Sequence, residues 1–314
     1  MGGSGGGSGF TATSSSVRER SREAHDTADQ AAFESDINGF LEEKLKGYNS
    51  RDANLVRARL DEILGVLGEK VEDSLQTLFG GSVAKHTYVD GLSDVDTLLV
   101  VDEDKLGAQA PRDILSKLES AAKQLENEGH VESVHAGTLA LTVTYTDGRE
   151  IQLLPSIKND SSLKVPSWDG TSWSPIKPES FQKGLTKRNE ETSGRLIPTI
   201  KLLKTLFEKK LPEKQRPSGY HIESLAVSAF RGYEGPRTSL AMIKHFLDSA
   251  PKAVLSPVHD KTGQSTHADD YLGHANSHER KKMSQVLNSL KSQLENATTS
   301  RHTDMLKEMF DNEL

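Results

Sequence analysis

FGGSVAKHTYVDGLSDVDTLLVV, residues 79–101, is the stretch from which the rest of the chain is read. Gly80, Gly81 and Ser82 make a turn, and Asp94 and Asp96 arrive at the edge of the apolar run Leu98–Val101. Side chains alternate along a strand, so carboxylates two residues apart point to one face. Two aspartates held there repel, and their charge calls for a cation. Hard oxygen ligands suit Mg²⁺ (or Mn²⁺), which is usually held by one or two carboxylates together with substrate phosphates. The Gly81-Ser82 turn lets backbone N–H groups approach an anion closely, as in a phosphate-cradling nest. Alone, Asp-x-Asp at a strand end is more often a solvated edge than a metal site. Here turn, carboxylates and strand come in the order that handling a nucleoside triphosphate requires.

Upstream, Val56, Leu60, Ile63, Leu64, Leu67, Val71, Leu75 and Leu78 form a stripe at helical spacing. It predicts one long spine helix that delivers Gly80 and Gly81 to the site edge. Phe33, Ile37, Phe40, Leu41 and Leu45 predict another helix, closed by Asn49–Asp52. Residues 1–16 are Gly/Ser-rich and read as a linker, and residues 17–30 are polar and charged, consistent with a frayed helix, so 1–32 is taken as a flexible N-terminal segment or linker.

Downstream, Pro111–Glu128 has helical spacing and Val131–Tyr145 is strand-like. Asp147-Gly148 is a hairpin signal, with Arg149–Ile157 as the returning strand. A sheet with helices on one face follows. Residues 158–193 read as a loop whose Trp168 and Trp173 pack on the domain or wall a nucleotide pocket. Gly194–Lys210 is helical, and its Lys201 and Lys204, three apart, share a face. Helices are also expected over Thr238–Leu255 and Ser277–Asn296, with a short closing one carrying Met305, Leu306, Met309 and Phe310.

Composition narrows the classes. The 314 residues carry 46 acidic against 39 basic side chains, a net charge of −7, which argues against general coating of a nucleic-acid backbone. With no cysteine, disulfides and thiolate-bound zinc are excluded, and a reducing cytoplasm is the simplest setting. No apolar run is long enough to span a membrane.

The Gly81-Ser82 turn, a loop with Lys85 and Thr87, and Ser93-Asp94-Val95-Asp96 running into an apolar strand resemble the signature of polymerase-beta-type nucleotidyltransferases. Within that group the chain is most similar to the bacterial cGAS/DncV-like enzymes (CD-NTases) of CBASS anti-phage systems, over roughly residues 33 to 275. The resemblance implies an α/β (α+β) bilobal fold: a mixed-sheet catalytic lobe over 33–193 and a helical lobe over 194–314, with the cleft between them. It also implies roles for named residues. Asp94 and Asp96 would hold the metal, and Gly81 and Ser82 the donor triphosphate. Lys204 in IKLLK matches the lysine that reaches the triphosphate, with Lys201 beside it. PSGYHIESL, residues 217–225, places Tyr220 where relatives set an aromatic ring against a base. Gly219 replaces the serine expected before that aromatic, so Ser218 or the Gly219 N–H would take over its phosphate contact.

One departure stands out. Relatives carry a third metal carboxylate in the strand that here reads REIQLLPSIK, and that position is Gln152. Glutamine offers a neutral carbonyl oxygen and cannot act as a base. Glu150 lies about 7 Å away on the same face of the strand and either supplies the charge or is a surface residue. In the loop 257–273, His259, Asp260, His267, Asp269 and Asp270 lack the spacing of a helical metal site. Asp260 there fits a structural or base-facing role. The implied activity is template-independent synthesis of a cyclic or short oligonucleotide from NTPs, with a separate effector protein switched on by the product. Modification of RNA, protein or a drug, and nucleotide binding without efficient catalysis, are the alternatives.

Overall fold

A computed structural model of the chain describes residues 14–48, 53–70, 76–79, 95–102, 109–158, 163–167, 169–258 and 268–311. The first part holds α1 (Ser14–Gly47), α2 (Ala53–Lys70), β1 (Gln76–Phe79), β2 (Val95–Asp102), α3 (Pro111–Ala122), β3 (Val131–Ala136), β4 (Leu141–Tyr145) and β5 (Glu150–Lys158). After these come the hairpin β6 (Leu163–Pro166) and β7 (Trp173–Ile176) and the helices α4 (Pro178–Glu191), α5 (Leu196–Lys210), α6 (Gly219–Ala229), α7 (Ser239–Ala253), α8 (His278–Thr299) and α9 (Thr303–Lys307).

Five strands run in the order β1-β2-β5-β4-β3, and β6 joins β5 and β7. Only β2 and β5 pair in parallel among the described strands, so the sheet is mixed, as expected. β5 is central: β2 follows one side of it from Ile151 to Lys158. Its other side is shared between β4, along residues 150–153, and β6, at residues 157–158. Pro155 falls in the gap between those two ladders, where a missing N–H costs least.

Two apolar cores form. In one, Ile151 and Leu153 of β5 and Leu141 and Val143 of β4 meet Val56, Leu60, Ile63 and Leu67 of α2 and Ile114, Leu115 and Leu118 of α3. The other gathers α5, α6, α7 and α8, and it also takes Phe33, Ile37, Leu41 and Leu45 of α1 and Phe181 and Leu185 of α4. The four-residue spacing on α1 explains this, since it sets those side chains on one stripe. Thus residues 33–45, expected in the catalytic lobe by their place in the chain, bury their apolar stripe with the C-terminal helices.

Several expectations need correction. The spine helix is described over Ala53–Lys70; Leu78 instead pairs with Leu98 in an antiparallel ladder, and Val71 and Leu75 lie outside the described residues. Helical spacing continued past the helix because a strand of Thr, Leu and Phe is chosen by its partner across the sheet, not by local period. Residues 14–32 belong to α1, so 17–30 follow the helical reading rather than the linker one, with Arg301 Nη2 on Asp26 Oδ1 at 2.8 Å. A second hairpin turn interrupts Val131–Tyr145: Gly137 N–H donates to Ala140 O, and Leu139 is exposed there. The expected loop over 158–193 contains the β6–β7 hairpin and α4. Trp173 is half-buried and its Nε1 donates to Gln109 O at 2.9 Å; Trp168 lies outside the described residues. Met305 is exposed, whereas Leu306, Met309 and Phe310 are buried.

If α1 belongs to the C-terminal core, Leu41→Ala should cost ~2–5 kcal/mol, the range for a buried leucine. Chemical denaturation reads this as a lower midpoint; an unchanged midpoint would place α1 outside that core.

Candidate active site

The central pairing of β2 with β5 brings the first group of site residues together. Asp96 is the register partner of Gln152, and Thr142 of β4 is the partner on the other side. Along β5 the alternation is regular: Ile151 and Leu153 are buried in the core, while Glu150, Gln152 and Leu154 are only partly covered. Glu150 is held by Thr144, whose Oγ1 donates to Glu150 Oε1 at 3.3 Å. The nearest described carboxylate to the Gln152 position along β5 is therefore tied to β4. Gly81, Ser82 and Asp94 lie outside the described residues. No group of three or more His, Cys, Asp or Glu side chains placed to hold a metal occurs among the described residues. The donors at Asp96, Gln152 and Glu150 are all oxygens, a set that fits a hard divalent cation.

The second group stands on α5 and α6. α5 is covered almost all round, every residue from Thr199 to Phe207 being buried. A helix apolar or enclosed on all sides lies inside a core, yet this one carries Lys201 and Lys204, with side chains 9% and 8% exposed. Lys204 Nζ donates to Glu223 Oε1 of α6 at 3.0 Å, and Glu223 is 1% exposed. Burial, then the neighbouring charge of Lys204, pushes the Lys201 pKa below its ordinary value. Gly219 opens α6 so close that a Cβ there would stand 3.4 Å from Lys204 Nζ. The ammonium therefore touches the start of a helix, where the backbone dipole is positive.

Ser218 caps α6, its Oγ accepting from the His221 N–H at 3.2 Å. Tyr220 is half-buried, its ring tilted 58° on Phe181 of α4 with centroids 4.7 Å apart. That contact fixes the plane of the ring the sequence marks for stacking.

Behind the cap is a polar chain that sequence reasoning missed, buried at His221, Asp269 and Arg280 and ending on the exposed Tyr271. His221 Nδ1 lies 2.8 Å from the Tyr271 hydroxyl. Burial pushes the His221 pKa down to about 4 against the opposing pull of Asp269. Burial likewise pushes the Tyr271 phenol up to about 12. A neutral imidazole carries one ring proton; with that proton on Nε2, toward Asp269 Oδ2 at 3.9 Å, the Tyr271 hydroxyl is the donor to Nδ1. Asp269 in turn accepts from Arg280 Nη1 at 2.5 Å and from the Val258 N–H at 2.9 Å. Arg280, fully buried, also donates to the carbonyls of Val254 (3.0 Å), Ser256 (3.2 Å) and Gly273 (2.9 Å). Asp269 is thus the partner of an arginine rather than a metal ligand. A lone Arg in the polar-looking start of α8 gave no sequence signal, because its partners are carbonyls brought there only by folding.

No protein-family model matches the sequence, and no curated protein matches it. Solved structures do. The chain is similar to the Bradyrhizobium diazoefficiens CD-NTase CdnG in complex with GTP, at 16% identity and a TM-score of 0.65 over 87% of this chain and 94% of that one. It is similar to Escherichia coli MS115-1 CdnC with ATP, at 14% identity and TM-score 0.61, over 88% of this chain and 98% of that one. Escherichia coli DncV in its 3'-deoxy GTP bound form matches at 10% identity and TM-score 0.60, over 96% and 91%. The fold is that of a CD-NTase.

Within this CD-NTase fold the sequence-marked residues separate into two described groups: Asp96, Gln152 and Glu150 on the sheet, and Lys201, Lys204, Ser218 and Tyr220 on the helices. In the loop 257–273, His259, Asp260 and His267 lie outside the described residues, while Asp270 opens a short 3₁₀ turn.

The buried histidine makes a pH prediction. Its folded pKa, about 4, lies below its ordinary value of 6.5, so the unfolded chain takes up the proton first. The stability carried by neutral His221 is complete above pH 6.5 and is lost as pH falls toward 4. The loss between pH 7 and pH 5 should be about 2 kcal/mol. Urea melts at the two pH values measure it, and His221→Gln should flatten the difference; an equal slope in both proteins would refute the assignment.

Proposed function

We propose that this protein is a template-independent nucleotidyltransferase that joins NTPs into a cyclic or short oligonucleotide second messenger. The observation that carries this reading is the pair of lysines buried on α5, one of them against the N-terminus of α6, in a fold shared with structures holding GTP and ATP. A buried ammonium beside a helix N-terminus is a poor arrangement for the protein alone and a good one for a polyanion.

In this reading Lys204 and Lys201 neutralise the triphosphate, and Ser218 with the Gly219 N–H contacts it. The Gly81-Ser82 turn cradles the donor phosphates. Tyr220, fixed on Phe181, offers its ring to a base. Asp94 and Asp96 would hold Mg²⁺ (or Mn²⁺), with Gln152 or Glu150 supplying a further oxygen. When bound, such a cation neutralises charge on the phosphates and on the acceptor oxygen. A ribose hydroxyl of the acceptor nucleotide attacks the α-phosphorus of the donor. The new P–O bond replaces the bond to the β-phosphate, pyrophosphate leaves, and the hydroxyl proton passes to solvent. Positioning and electrostatics carry most of such a transfer, so a site with Gln152 in place of a carboxylate can still turn over. By its resemblance the product would activate a separate effector in anti-phage (CBASS) defence in the cytoplasm.

A second reading is a nucleotide-binding module with weak catalysis. Gln152 favours it, standing in register with Asp96 where the resemblance implies a third carboxylate.

Incubation with four radiolabelled NTPs and Mg²⁺ or Mn²⁺, then phosphatase and chromatography, separates the two. A phosphatase-resistant spot with released pyrophosphate supports synthesis, and nucleotide binding without pyrophosphate release selects the weak module. Asp94→Asn with Asp96→Asn should reduce product by at least ~10³-fold, the scale of losing a preorganised charge at the reacting centre. The circular dichroism spectrum should be unchanged, and wild-type yield from the double variant would exclude this site.

A further inference from the structure

The buried pair Lys204–Glu223 has a consequence for how strongly the site grips its substrate. Two ammonium groups, Lys201 and Lys204, lie three residues apart on one face of α5. The start of α6 adds a positive backbone end next to Lys204 Nζ. Against these, Glu223 stands one turn into the same helix, with its carboxylate 3.0 Å from Nζ and 1% exposed. Salt screens buried charges much less than exposed ones, so each of these charges acts on its neighbours more strongly than it would at the surface.

We propose that Glu223 is the counter-ion that sets the affinity of the triphosphate site, holding Lys204 in place and competing with phosphate for its ammonium. This rests on the nucleotidyltransferase reading and assigns Glu223 a part in it. Before nucleotide binds, Glu223 offsets the repulsion between the two lysines and the helix end. Once a triphosphate arrives, the same carboxylate repels the phosphate oxygens, so the grip is looser than two lysines alone would make it. A looser grip favours departure of pyrophosphate, a step that limits turnover in many enzymes that release a charged product. Glu223 acts through Lys204 and is a positioning residue.

The test is titration calorimetry with inorganic tripolyphosphate, without divalent metal, in mildly acidic buffer that keeps lysine side chains protonated. Glu223→Gln should bind tripolyphosphate on the order of tenfold more tightly than the wild type, a change of about 1.4 kcal/mol. Glu223→Asp, which keeps the charge, should stay close to the wild type, and Lys204→Met should lose most binding. In steady state with NTP, Glu223→Gln should lower KM and kcat together and deepen inhibition by added pyrophosphate, a split that mere loosening of the fold does not produce. Equal or weaker tripolyphosphate binding by a folded Glu223→Gln, with Lys204→Met still defective, overturns the proposal and leaves the triphosphate site standing. If the wild type and Lys204→Met bind tripolyphosphate equally, or neither binds, the triphosphate site itself falls, and the proposal with it. Should Glu223→Gln fail to fold alone, thermal melting with tripolyphosphate decides. Restored cooperative melting upholds the proposal, and no restoration overturns it.

Discussion

The parallel pairing of β2 with β5 is the constraint from which the sheet side of the site derives. A one-residue slip in that register would set Asp96 beside Ile151 or Leu153, residues that face the core, and would turn the strand's polar set inward. The register is pinned because Ile151 and Leu153 must reach the apolar side chains of α2 and α3. Burial of a few leucines and isoleucines thus decides which residues of β2 and β5 become register partners. β4 and β6 then divide the remaining edge of β5, and the junction between them accommodates Pro155.

On the helical side the same logic takes a costlier form. α5 is enclosed by its neighbours, so its two lysines are carried into the interior with it. Charges so placed must be paired. Glu223 answers for Lys204, and Gly219 leaves room for the ammonium against the helix end. A fold stabilised only by packing would gain from apolar residues at these positions.

The Arg280–Asp269 pair plays a structural part next to this site. It ties the carbonyls of Val254, Ser256 and Gly273 to one guanidinium and passes through His221 and Tyr271 to the first turn of α6. That turn carries Ser218, Gly219 and Tyr220. The neutral state of His221 keeps the chain free of a second buried positive charge beside Arg280.

Much of this was legible along the chain. The periods at 33–45, 111–125 and 196–207 and the Asp147-Gly148 turn with Gly148 at φ 78° are local signals, and those helices and that hairpin stand where the signals put them. Helical spacing put Lys201 and Lys204 on one face, and it was the resemblance of IKLLK and PSGYHIESL to the family's motifs that singled out Lys204 and Tyr220. The sequence by itself therefore determined the helical runs at 33–45, 111–125 and 196–207, the hairpin that returns β5, and the chemical types of the candidate residues. Tertiary structure alone decided that Gln76–Phe79 is a strand, that α1 closes the C-terminal core, that Asp96 is opposite Gln152, and that Glu223 and Arg280 are partners of buried charges. Each of those outcomes depends on a contact between residues far apart in the chain. Such contacts are selected by register and burial, which no local period encodes.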